Sequence, residues 1–237
     1  MKVGSPEWAD LIIGGAKALG IDLDLQQAHQ FSIHAAELLT WNKKINLTAI
    51  VDPREVAIKH FLDSIAAARL IPPGATLLDI GSGAGFPGIV LKIVLPSLSV
   101  TLIDGSRKKI TFLKHIIRTL QLKNIDARQI RAEEMVKDPG LTAAFDVIVS
   151  RALSSLQSYI AMALPLLAQA GTIIALKGKI DQSEIDDWRS NFRDGLPGLP
   201  SDRSRLSLRA ESYELPHIQS RRTIYLVRKS CHDDSRT

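Results

Sequence analysis

Between residues 25 and 39 the apolar positions return with a helical period. Leu25, Ala28, Ala35, Leu38 and Leu39 fall near the 3.6-residue repeat, and Asp24 stands where an N-cap belongs. The pattern predicts a helix ending near Trp41-Asn42, then a loop through Asn46-Leu47-Thr48. A second helix is expected from Arg54 to Leu70, with Pro53 just inside its start, before Pro72-Pro73-Gly74 breaks the chain. Ahead of both helices, residues 1–22 carry Gly4, Pro6, Gly14, Gly15 and Gly20, so a loosely attached start is expected.

Beyond the break the pattern changes to short apolar runs alternating with helical stretches. Strands are predicted at Thr76–Ile80, Val100–Asp104, Ala127–Ile130, Phe145–Ser150 and Thr172–Leu176. Each run is nearly continuous in apolar residues, the third less so, which suits buried parallel strands in a βαβ array. A last crossover helix is expected over Ile180–Phe192, and Gly195 to Pro200 form a break. Two further strands, Leu206–Leu215 and Thr223–Val227, flank Pro216 and read as a closing antiparallel, hairpin-like pair. The fold class is α/β: an open, mostly parallel, doubly wound sheet. Residues 23–72 form a small helical cap, 73–230 the main domain and 231–237 a polar tail.

Composition narrows the setting. A chain of 237 residues with 45% hydrophobic content can bury a sizeable core and is not disordered. One cysteine, Cys231, excludes an internal disulfide framework and a thiolate-built structural zinc site. No apolar run approaches the ~18 residues that a membrane helix needs. A cytoplasmic protein without metal or membrane partner is therefore expected, and a monomer. The formal charge of +5 suits either a polyanionic partner or simple solubility.

The most informative segment is Asp79-Ile-Gly81-Ser-Gly83-Ala-Gly85-Phe86-Pro87-Gly88, running from the first strand into a helix. Glycines there let the backbone turn sharply and approach a ligand at the carboxyl end of the sheet. A plain tight βα turn is the alternative. A dinucleotide fingerprint would need glycine at 86, where Phe86 stands, which counts against a nicotinamide oxidoreductase. The observed Asp-x-Gly-x-Gly-x-Gly pattern resembles motif I of S-adenosylmethionine-dependent methyltransferases. Asp104, ending the second strand, can accept hydrogen bonds from both ribose hydroxyls or can cap the next helix. Ala132-Glu133-Glu134 follow the third strand, where the related enzymes hold adenine; without that likeness the two glutamates read as solvated charges.

Five segments occur in one order: Trp41-Asn42 with Asn46-Leu47-Thr48, His60-x-x-Asp63-Ser64, the glycine turn ending Gly85-Phe-Pro-Gly88, Ser150-Arg151-Ala152, and Leu176-Lys177-Gly178. Together they resemble the RsmG (GidB) family, bacterial enzymes that methylate ring nitrogen seven of a guanine in 16S ribosomal RNA. The resemblance implies a Rossmann-like class I methyltransferase sheet and S-adenosylmethionine as cofactor. The partner it implies is 16S rRNA, either free or in an assembling small subunit. It places cofactor contacts on Gly81, Phe86, Ala132, Glu133 and Arg151, to which the reading of the turn and of the second strand's end adds Gly83 and Asp104.

The chemistry agrees with what is missing. Guanine nitrogen seven has a free lone pair and no proton, so no general base is expected, only orientation in a water-poor site. Cytosine carbon-5 methylation would call for a cysteine nucleophile, but Cys231 sits in the polar tail. The Asn/Asp-Pro-Pro-aromatic segment of exocyclic-amine methylases is replaced by Ser150-Arg151-Ala152-Leu153. His60, Asp63 and Ser64 share a helix face at i, i+3 and i+4; they either frame the guanine or lock the cap to the sheet. Arg151 suits the methionine carboxylate, an RNA phosphate or a surface acid, and Lys177 is a candidate for positioning the base.

Arg107, Lys114 and Arg118 make one basic stripe, with Lys108, Lys109, Lys123, Arg128 and Arg131 nearby. It is either a solvated face or, with Arg203, Arg205, Arg209, Arg221 and Arg222, a surface for phosphates. With 5% aromatics, recognition by base stacking is not expected. A non-enzymatic RNA-binding module with a vestigial turn is the remaining alternative.

Overall fold

Local signals place the first long helix. Gln27 N–H donates to Asp24 Oδ1 at 2.7 Å and Asp24 N–H donates to Gln27 Oε1 at 3.1 Å, a reciprocal capping box. The computed structural model describes residues 1–151, 155–178 and 206–229. The crossover helix expected at Ile180–Phe192, the break at 195–200, Arg203, Arg205 and Cys231 lie outside these residues. In chain order the helices are α1 (Pro6–Ala18), α2 (Leu25–Ile45), α3 (Pro53–Val56), α4 (Asp63–Ile65), α5 (Gly88–Val94), α6 (Arg107–Thr119), α7 (Ala132–Met135) and α8 (Leu156–Ala163). The strands are β1 (Thr76–Ile80), β2 (Ser99–Asp104), β3 (Ile125–Gln129), β4 (Phe145–Arg151), β5 (Leu167–Lys177), β6 (Leu206–Leu215) and β7 (Ser220–Lys229).

The seven strands form one sheet in the order β3-β2-β1-β4-β5-β7-β6. β1 to β5 pair in parallel, β7 runs antiparallel to β5, and β6 pairs with β7 at the edge. This is the expected mostly parallel sheet closed by an antiparallel hairpin. Helices cover both faces. Alternate residues of β1 feed two cores: Leu77 joins α1, α2, α5 and α6, whereas Leu78 and Ile80 join α8 and Tyr225. The order reverses between β1 and β4, so the carboxyl ends of β1 and β2 open at the switch point where such sheets bind ligands.

Two expectations are corrected. The start of the chain is not loosely attached. Residues 6–18 form α1, and Trp8, Ile12 and Ala16 are fully buried. Trp8 Nε1–H donates to Pro53 O at 2.9 Å and its ring meets Phe61 edge-on at 5.8 Å. Gly15 sits inside this helix because a Cβ there would come 2.4 Å from Leu62 Cδ1. The glycine makes room for the Leu62 side chain against the helix and is no sign of looseness. The second helix, expected over Arg54–Leu70, is also not continuous: a π-helical turn, Ala57–Leu62, separates α3 from α4, and a 3₁₀ turn covers Ala68–Leu70. Ser64 Oγ donates to the His60 carbonyl at 2.6 Å, competing with the α-helical ladder. Asp63 N–H reaches back to Ile58 O, the wider spacing of a π turn.

The cap is thus a layer of the main core rather than a body of its own. Trp8→Ala should lower the unfolding free energy by about 3–5 kcal/mol, the usual cost of emptying a buried tryptophan site. Denaturant melts check this, and a loss below about 1 kcal/mol would mean that α1 is detached in solution.

Candidate active site

The turn from β1 to α5 is built around Asp79. Its side chain is fully buried, and Oδ2 accepts the Gly88 N–H at 2.9 Å, at the N-terminus of α5. Burial pushes the carboxyl up to about 7, although the Gly88 N–H and the positive Arg151 favour its ionised form. Asp79 Oδ1 is buried with no hydrogen-bond partner among the described residues. The turn itself runs through Gly81, Gly83 and Gly85 at φ of 72°, 56° and 91°, a region that favours glycine. Around Gly81 no heavy atom lies within 4 Å of where a Cβ would stand, so the turn borders open space.

Asp104 stands beside that space. Oδ2 accepts the Gly83 N–H at 3.2 Å and Oδ1 accepts the Ser106 N–H at 2.8 Å, while Lys109 Nζ lies 3.5 Å from Oδ2. Ser106, not Asp104, occupies the N-cap of α6. The carboxylate is therefore oriented by the glycine turn with acceptor capacity remaining on each oxygen. Ala132 and Glu133 open α7 at the same edge. Ala132 is buried against the core that holds Ile80 and Ile103, and Glu133 is exposed.

Phe86 turns inward. It is 4% exposed, with His34 stacked on it at 4.9 Å and 11° and His60 at 4.7 Å and 19°. The Arg151 guanidinium lies 5.1 Å from its ring centroid. The Phe86 side chain thus belongs to the core and not to the open space beside the turn. The peptide Phe86–Pro87 is cis.

Arg151, at the end of β4, ties the sheet to the π turn. Nη1–H donates to Lys59 O at 3.0 Å and Nη2–H to His60 Nδ1 at 3.1 Å. The second contact fixes the imidazole proton on Nε2, which faces Thr48 Oγ1 at 2.8 Å. Burial, then the charge of Arg151, pushes His60 down to about 3, so the ring is neutral. Asp63 lies 3.7 Å from both Arg151 and Arg222 and accepts the Tyr213 O–H at 2.7 Å. Burial and the neighbouring Asp63 push the Tyr213 hydroxyl above its ordinary range.

The structure brings Gly81, Gly83, Asp104 and Arg151 to one end of the sheet, with His60 and Asp63 behind Phe86. Lys177 ends β5 one residue beyond Leu176, the register partner of Arg151. Arg222, expected on the RNA surface, points instead to Asp63. Three participants were not foreseen from the sequence. Tyr213 and Arg222 reach the site through long-range sheet pairing that no local spacing reveals. His34 was hidden in the apolar repeat of α2; its sole signal was a histidine on a helix's buried face.

Residues 27–193 match a family model described as rRNA small subunit methyltransferase G, GidB. The Ribosomal RNA small subunit methyltransferase G of Geotalea uraniireducens (strain Rf4) is 45% identical over 176 residues, 74% of this chain and 80% of the relative. That of Bacillus thuringiensis (strain Al Hakam) is 39% identical over 212 residues, 89% and 85% respectively. Among solved structures, a SAM dependent methyltransferase from Aquifex aeolicus superposes with a TM-score of 0.53 at 17% identity, covering 74% of this chain and 93% of that one. M. jannaschii TYW2 in complex with AdoMet gives 0.50 at 14%, covering 70% and 75%. At these identities the structural likeness concerns the fold.

The Asp79 carboxyl yields a signed pH effect. Its folded-state pKa of about 7 lies above the ordinary value of 3.8, so its contribution to stability is greatest at low pH and is lost as pH rises through 7. Asp79→Asn removes that dependence and leaves the histidines in place. The melting temperature of the parent minus that of the variant should therefore fall between pH 5 and pH 8. A difference independent of pH would show that Asp79 does not titrate near neutrality.

Proposed function

Since the chain belongs to the rRNA small subunit methyltransferase G family, we infer that it transfers a methyl group from S-adenosylmethionine to ring nitrogen seven of a guanine in 16S ribosomal RNA, as a cytoplasmic monomer. Beyond the family match, one observation carries the reading: an acceptor carboxylate, Asp104, anchored by Gly83 beside an open glycine turn.

The residues present suit the cofactor. Asp104 has the acceptor capacity for two ribose hydroxyls, and Gly81 and Gly83 leave room for close approach. The unpaired Asp79 Oδ1 suits a cationic ligand group near the turn. Arg151 is a buried cation suited to the methionine carboxylate, while the Ala132 backbone and Glu133 stand where adenine would be read. When bound, S-adenosylmethionine supplies a methyl group activated by its sulfonium. The guanine nitrogen carries no proton, so the protein needs to orient the base and exclude water rather than remove a proton. His60 fits that division of labour: both ring nitrogens are engaged, and its pKa of about 3 makes it a poor base. His60, Asp63 and Lys177 act in positioning, the first two through the π turn that they hold.

The basic face of α6 is the proposed route for the RNA backbone. Arg107, Lys108, Lys114 and Arg118 are exposed, and the helix begins at the Asp104 edge of the site. α2 packs against it, with Trp41 on Phe112 and Glu37 on His115.

Purified protein with labelled cofactor should yield 7-methylguanine in small-subunit RNA, tested on free 16S RNA and on assembled particles. Methylated adenine or cytosine as sole product would sink the assignment. Asp104→Ala should weaken cofactor binding by at least about tenfold, the scale of two missing charge-assisted hydrogen bonds, and leave RNA affinity nearly unchanged. On the RNA side, replacing Lys108, Lys114 and Arg118 by Gln should flatten the slope of log affinity against log salt by about one for each phosphate no longer neutralised. An unchanged slope would place the RNA elsewhere.

A further inference from the structure

His34 lies on α2, in the helical cap, yet its ring reaches the glycine turn. It is fully buried, and Nε2 is 2.8 Å from the carbonyl oxygen of Ala84. The carbonyl can only accept, so the ring proton sits on Nε2 and the imidazole donates. Ala84 is flanked by Gly83 and Gly85, both at positive φ, in the most permissive stretch of backbone at the site. The ring also stacks on Phe86 and meets Phe61 edge-on at 5.5 Å.

This arrangement costs the fold something. Nδ1 of His34 is buried with no hydrogen-bond partner among the described residues, and burial pushes the ring's pKa down to about 4. A phenylalanine would fill the same aromatic pocket without an orphaned nitrogen. What only the imidazole adds is the Nε2–H to Ala84.

We propose that His34 is a positioning residue for the cofactor: its hydrogen bond to Ala84 O holds the glycine turn in its binding shape, while its stack on Phe86 serves packing and stability. The inference rests on the cofactor reading above. Through Phe86 the column continues to His60, and from there to Arg151 and Thr48. The cap therefore acts on the cofactor pocket directly and is not only a platform for RNA. Fixing the turn before binding spares the ordering cost that a mobile loop would add to each binding event.

Two substitutions separate positioning from mere packing. His34→Phe keeps the ring and loses the donor; His34→Gln keeps an N–H donor and loses the ring. Each is measured by calorimetric binding of S-adenosylmethionine, by thermal melting, and by KM for cofactor and for RNA. His34→Phe should raise the cofactor Kd and KM about tenfold, with the melting temperature held or raised and the KM for RNA within about twofold. His34→Gln should melt lower yet keep cofactor affinity within about threefold of the parent. Parent-like cofactor affinity in His34→Phe overturns the proposal, as does affinity that merely follows melting temperature in both variants. If His34→Phe does not fold, His34→Gln decides alone: retained affinity supports the role and a tenfold loss refutes it. A parent protein that binds no S-adenosylmethionine instead overturns the cofactor reading, and that result is seen before either variant is made.

Discussion

A Cβ at Gly88 would stand 2.4 Å from Leu102 Cδ2 and 2.6 Å from Asp79 Oδ2. The N-terminus of α5 must come this close to β1 and β2 for the Gly88 N–H to reach the Asp79 carboxylate. That contact sets the shape of the turn, and the turn sets the rest. It puts Gly83 N–H on Asp104, aims Ala84 O at His34 and drives the Phe86 ring into the aromatic cluster. A side chain at position 88 would separate the helix from the strands, and the acceptor carboxylates would lose their common frame.

Around that frame, charge is managed by burial and pairing. Asp79 is held near neutrality by desolvation, whereas Asp63 is flanked by Arg151 and Arg222 and further supported by Tyr213. The two histidines next to Phe86 are both neutral, because burial disfavours their cations. The pocket thus keeps its cationic group on Arg151 and its unpaired acceptor on Asp79. The π turn is central to this balance, because it presents His60 to Arg151 and Asp63 to the closing hairpin from one short segment. Arg69 and Glu211 add a further cap-to-hairpin ion pair at 2.8 Å.

Much of the sheet was legible in the chain. Thr76–Ile80 matches β1 end to end, because turn residues bound it on both sides, and β6 falls where a strand of about Leu206–Leu215 was expected, closed by Pro216. β3 is shifted by two residues at its start and one at its end, since Ile125–Gln129 is half exposed at a sheet edge and gives only a weak apolar run. β5 begins five residues earlier than its apolar core suggests, because Leu167 already pairs with Phe145, and the register is irregular from there to the pairing of Val147 with Thr172. Helix α1 was missed for a related reason. Gly14 and Gly15 lower its intrinsic preference, and only the tertiary packing shows that Gly15 accommodates the Leu62 side chain.

The sequence by itself determined the order of the strands along the chain, the glycine turn, and the acidic residues at the ends of β1 and β2. These follow from local periodicity, from glycine's backbone freedom and from the fixed geometry of βαβ units. It also carried the family resemblance, in motifs short enough to read along the chain. Only the tertiary structure decided that the cap shares the core of the sheet, that Phe86 points inward, that Arg222 faces Asp63, and that His34 holds the carbonyl of Ala84. Those outcomes depend on residues that meet across long stretches of chain, 50 positions for His34 and Ala84 and 159 for Asp63 and Arg222. Burial, hydrogen-bond satisfaction and steric fit choose among such meetings, and none of the three is a property of a local segment.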